Sequence, residues 1–149
     1  MCDILGHDDL STMVTKFIEI PEEKWGCLLV WDFDLLDYDD IWSICKSFGM
    51  SDRNIKRSLQ ILSTYNSGMT VSNDDLKMSA MFVGKSSSMS QFWNTIAHEC
   101  SHLVDSISSY YDVDCNTEDR AYLQGFIFQG LLKKLQTLDR ASLRRLYSF

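Results

Sequence analysis

The chain has 149 residues, enough for one domain with a real core but not clearly for two. Its apolar share of 45% and charged share of 23% are those of an ordinary globular chain, and no apolar run is long enough to cross a bilayer. The net charge of −7 argues against nucleic acid as a partner, because phosphate binding needs clustered Lys and Arg.

Residues 1–12 read as an acidic lead-in without the basic-then-apolar layout of a signal peptide, so a single domain over 13–149 and cytoplasmic residence are expected. The five cysteines are odd in number and scattered, with no C-x-x-C, which speaks against a disulfide framework. Residues 14–20 alternate and predict a strand that Pro21 closes. Residues 26–33 (GCLLVWDF) predict a second strand. Asp39 or Asp40 starts a helix through Ile41, Trp42, Ile44 and Cys45 that stops at Gly49. Ser51 opens another, with Ile55, Leu59 and Leu62 at helical spacing, ending near Tyr65 to Gly68. Residues 77–84 (KMSAMFVG) read as a strand, and Ser86, Ser87 and Ser88 form a turn after it.

Residues 91–108 (QFWNTIAHECSHLVDSIS) hold no Gly or Pro and predict a helix capped by Ser90. At 100° per residue, Ile96, Ala97, Cys100, Leu103, Val104 and Ile107 share an apolar face, and His98, Glu99 and His102 lie opposite, with Asn94, Thr95, Asp105 and Ser109. Thr117 caps a long helix through Gln136, and a short helix over 139–147 ends an α+β pattern whose second half is mostly helical.

Within that first long helix sits His98-Glu99-Cys100-Ser101-His102, an H-E-x-x-H pentad in a chain with one other histidine. Residues four apart stand one above the other on a helix, so the two imidazoles can hold one zinc ion from the same side. The glutamate between them can take a proton from water that the metal acidifies. A catalytic zinc needs a third protein ligand and an open position. His7 is far away in sequence and reads as a surface residue. Glu118 is the better candidate, because it opens the next helix and begins an E-x-x-A pattern. Glu118, Ala121, Tyr122, Gly125 and Gln129 share one side of that helix, and the small residues Ala121 and Gly125 would let it approach the pentad helix closely. Asp105 competes, either as a ligand or as a partner orienting an imidazole. Asp112, Asp114 and Cys115 are weaker options.

Residues 94–122 (NTIAHECSHLVDSISSYYDVDCNTEDRAY) resemble the zincin metallopeptidases of gluzincin type. The look of residues 70–135 is similar to compact metallopeptidase-like proteins carried by phages and mobile elements of gut bacteria. The resemblance implies a zincin-like fold, a small mixed or antiparallel sheet beside the active helix. It implies His98, His102 and Glu118 as zinc ligands and Glu99 as general base. It also implies an edge strand over 77–83 that aligns a peptide or protein substrate. Tyr110, Tyr111 and Tyr122 are the nearest phenols that could assist an oxyanion. The expected activity is zinc-dependent peptide hydrolysis without nucleic acid or membrane. The alternative is a catalytically silent, zinc-stabilised binding module on the same scaffold. The acidic stretch 32–40 lacks the spacing of an EF-hand loop and reads as a solvated turn.

Overall fold

The computed structural model describes residues 13–20, 23–114 and 118–136. In chain order these form β1 (Val14–Ile20), β2 (Trp25–Trp31), α1 (Tyr38–Ser47), α2 (Asp52–Leu62), β3 (Gly68–Asn73), β4 (Met78–Val83), α3 (Met89–Tyr110) and α4 (Glu118–Gln136). A single 3-10 turn, Leu35–Asp37, leads into α1. His7, Cys115, the Thr117 cap and the helix expected over 139–147 lie outside the described residues.

The strands make one mixed sheet in the order β1-β2-β4-β3. β1 pairs antiparallel with β2, β2 parallel with β4, and β4 antiparallel with β3. Both central strands are buried on two sides, which is why they read as near-continuous apolar runs (WGCLLVW and MSAMFV). Alternate residues serve two cores. Cys27, Leu29, Trp31, Met81 and Val83 pack with Ile96, Leu103, Ile127 and Leu131 from α3 and α4. Val30, Ala80 and Phe82 pack with Ile41, Cys45, Ile55 and Leu62 from α1 and α2. The result is an α+β arrangement of three layers, a sheet between two helix pairs. Each fully buried Ile, Leu or Met in these cores contributes roughly 1.5–3 kcal/mol. The one polar residue inside β4, Ser79, is satisfied: the Trp25 indole donates to its Oγ at 3.0 Å, and the Ser72 hydroxyl lies 2.6 Å away. Among the described residues no helix is long and apolar enough to cross a membrane.

The helix ends follow local chemistry. Ser51 caps α2 by accepting from the Asn54 amide at 3.3 Å, as its sequence position predicts. Gly49 takes φ +86° just past α1, a left-handed conformation open to glycine. Two expected starts move. α1 begins at Tyr38 rather than after Asp39 or Asp40, because the 3-10 turn feeds it directly. α3 is capped by Ser88, whose hydroxyl accepts from the Gln91 amide at 3.2 Å, rather than by Ser90.

The larger correction concerns the sheet. Residues 77–83 do not form an edge: β4 lies between β2 and β3, and the edge beside α3 is β3. β3 carries a period-two signal that competes poorly with its turn-like flanks. Met69 and Val71 face the α1–α2 core, and Gly68, Thr70 and Ser72 alternate with them.

The cysteines offer a direct check on the core. Burial, reinforced by the neighbouring Cys100, pushes the Cys27 thiol from 9.0 up to about 12, and burial lifts Cys45 and Cys100 to about 11. All three should resist iodoacetamide in the folded chain at pH 8 and react fully in denaturant, as read by mass spectrometry. The unfolded chain gives up these protons first, so stability falls as pH rises from about 9 toward 12. A melting temperature equal at pH 8 and pH 10.5 would contradict this.

Candidate metal centre

α3 is a 22-residue helix whose inner face anchors it against the sheet. His98 and His102, one turn apart, both stand exposed, with their Nε2 atoms 3.2 Å from each other. The ring planes meet at 75° with centroids 4.9 Å apart. Two nitrogens bound to one tetrahedral zinc at about 2.0–2.1 Å stand roughly 3.3 Å apart. The observed separation fits a shared cation and equally fits a hydrogen bond between the two rings.

Glu99 departs from its expected place. The helical wheel sets it with the histidines on the polar side, yet it is only 3% exposed, and Thr95 beside it is buried too. The reason is β3, which covers this flank of α3. The Thr70 hydroxyl donates to Glu99 Oε2 at 2.8 Å and lies 3.2 Å from the Glu99 carbonyl oxygen. Gly68 leaves the space the carboxylate occupies: a Cβ there would stand 2.8 Å from Glu99 Cγ and 2.9 Å from Oε1. Burial raises the Glu99 carboxyl above its ordinary value, while the Thr70 hydroxyl, His102 and His98 pull in the other direction. A carboxylate so held is shielded from water and fixed in direction by the Thr70 hydroxyl. Gly68 and Thr70 are the residues that sequence reasoning missed. The G-x-T alternation of β3 was their available signal.

The remaining candidates lie differently. The Asp105 carboxylate is taken by Arg120, whose Nη2 contacts Oδ1 and whose Nε donates to it at 3.2 Å. The same guanidinium donates to Ser101 Oγ and Gln124 Oε1, each at 3.3 Å, and so bolts the start of α4 to α3. Glu118 is exposed. Among the described residues no three His, Cys, Asp or Glu side chains come close enough to hold one metal ion. Glu118 therefore does not join the histidine pair in a three-ligand cluster.

The cause is the rotation of α4 about its axis. Ile127, Leu131 and Leu135 are its buried residues, while Glu118, Ala121, Tyr122, Gly125 and Gln129 face outward. A Cβ at Gly125 would meet nothing within 4 Å, so this glycine does not bring α4 against α3 as its spacing suggested.

Two of the three phenols, Tyr110 and Tyr111, serve elsewhere. Tyr111 donates to the Glu23 carbonyl, Tyr110 packs edge-on against Trp25 at 5.5 Å, and the Lys77 ammonium lies 5.3 Å from the Tyr110 ring. They stand two turns or more beyond His102, roughly 12 Å along the helix axis. Tyr122 is among the outward residues of α4. A cleft of about 550 Å³ lined by Phe33, Asp34, Tyr38, Leu62, Tyr65 and Lys85 draws no wall from α3, so the histidine pair does not open into it. No family model matches this chain, and no match was found among curated proteins or solved structures.

Proposed function

We propose that this protein is a zinc-dependent hydrolase of peptide bonds on a zincin-like scaffold. The observation that supports it most is the 3.2 Å approach of the His98 and His102 Nε2 atoms beside a buried, hydrogen-bonded Glu99. His98 and His102 would hold the zinc, which when bound acidifies water and polarises a carbonyl. Glu99 then acts as base, taking the proton of the attacking water and handing it to the leaving amine. The Thr70 hydroxyl keeps that carboxylate in place through its 2.8 Å bond. β3 supplies the substrate rail in place of the strand over 77–83. Its inner edge pairs with β4, and its outer edge offers backbone N–H and C=O groups to an extended chain.

The experiment is a metal count joined to an assay. Purified protein should bind zinc in a fixed ratio, and His98→Ala or His102→Ala should each lower affinity by more than about 100-fold, since one remaining imidazole holds zinc weakly. Cleavage of a reduced, carboxymethylated protein should stop with a chelator and return with zinc. Metal without cleavage would favour the silent binding module, a reading also motivated by the two exposed imidazoles with no third ligand among the described residues. Absence of tightly held metal would defeat both.

A further inference from the structure

α4 turns an aromatic, self-complementary face to solvent. Tyr122 is 74% exposed and Phe126 48%, large values for side chains of this size in the middle of a helix whose opposite face is buried. Glu118, Tyr122, Gly125, Phe126, Gln129 and Lys133 fall within about 100° of arc at 100° per residue, and all six are exposed. This is a stripe of the width a partner helix covers. Nothing lies within 4 Å of a Cβ built on Gly125, so the centre of the stripe is open to close approach.

The order of charges along the stripe identifies the partner. Glu118 and Lys133 stand symmetrically about the Gly125–Phe126 peptide, and so do Tyr122 and Gln129. An antiparallel copy of the same helix, related by a two-fold axis through that peptide, would set each Glu118 opposite the other copy's Lys133. It would also set each Tyr122 opposite a Gln129, with Gly125 and Phe126 against each other at the axis. A closed two-fold contact needs one patch that complements itself, and this one does. A parallel copy would instead bring Glu118 against Glu118 and Lys133 against Lys133.

We propose that the outward face of α4 is the interface of a homodimer, two copies of this chain pairing their α4 helices antiparallel about Gly125 and Phe126. The proposal stands apart from the zinc reading, since it uses neither histidine and its readout is mass. In the dimer Glu118 is engaged by a lysine, which suits its position away from the histidine pair.

The test uses the full chain in sedimentation equilibrium and light scattering. The expected result is a dimer whose dissociation constant rises more than about 10-fold in Phe126→Glu and in Tyr122→Glu, because aromatic anchors at an interface centre carry much of the binding. Both sites are on the surface, so circular dichroism should show the fold intact. Glu118→Lys and Lys133→Glu should each weaken the dimer several-fold, and the double variant should restore it. In a chain with Cys2 and Cys115 replaced by Ser, Gly125→Cys should form an intermolecular disulfide with diamide as oxidant. Lys133→Cys should not, because its two copies would stand more than about 20 Å apart along the axis. A chain that is monomeric at about 200 μM, a dimer indifferent to Phe126→Glu, or cross-linking at 133 but not at 125 would each overturn the proposal.

Discussion

Replacing Glu99 with glutamine is expected to leave zinc bound at its usual ratio and to lower peptide hydrolysis by about 10²–10⁴-fold, the range that general-base catalysis supplies. The amide is nearly the size of the carboxylate. Its oxygen can still accept from the Thr70 hydroxyl, which now bonds Oε2 at 2.8 Å. It carries no charge, so the cost of holding an ionised group at 3% exposure disappears. The variant should therefore melt at or above the temperature of the parent. Three measurements separate the possibilities: zinc by elemental analysis, melting by calorimetry, and turnover on an unfolded protein substrate. Hydrolysis at the parent rate with zinc retained would remove Glu99 from the chemistry. Loss of zinc as well would mean that Glu99 supports the histidines rather than the reaction.

The second expectation tests the packing that aims Glu99. Gly68→Ala should cost about 1–3 kcal/mol of stability, the usual cost of forcing a methyl group into a filled core. The new Cβ would sit 2.8 Å from both Glu99 Cγ and Thr95 Cγ2, and 2.9 Å from Glu99 Oε1. Both neighbours are hydrogen-bonded, Thr95 to the Gln91 carbonyl at 3.0 Å and Glu99 to the Thr70 hydroxyl at 2.8 Å, and with two of the three closest atoms on Glu99 the methyl group presses on the carboxylate side chain. A carboxylate displaced by an ångström can lose about 10²-fold in rate. The imidazoles stand exposed on α3, so zinc affinity is expected to stay unchanged. A selective fall in turnover with unchanged zinc affinity is thus the signature. Full activity in Gly68→Ala would show that the space under β3 does not set the position of the base.

Much of the framework was legible in the residues themselves. The break-free run with His98, Glu99 and His102 announced a helix and a pair of imidazoles on one side of it. The apolar runs of β2 and β4 and the caps at Ser51 and Gly49 likewise declare themselves within a few residues. These features are local: a 3.6 or 2.0 period and a cap are properties of a short segment, whatever it later packs against.

What lay beyond the segment had to come from packing. Which strand forms the edge depends on where β3 docks, and its residues 68–73 gave only a brief alternation between turn-like flanks. Glu99 was counted with the polar side opposite the apolar face because helical phase alone cannot show that Thr70, 29 positions earlier, closes over it. The E-x-x-A face of α4 was assigned to the metal because small residues suit close packing. Yet Ile127, Leu131 and Leu135 bury more apolar surface and turn that face outward. Asp105 was the competing ligand or imidazole partner in the sequence and is the partner of Arg120 in the fold. Periodicity is encoded between neighbours, whereas strand order, helix rotation and the company of a carboxylate follow from contacts between residues far apart in the chain.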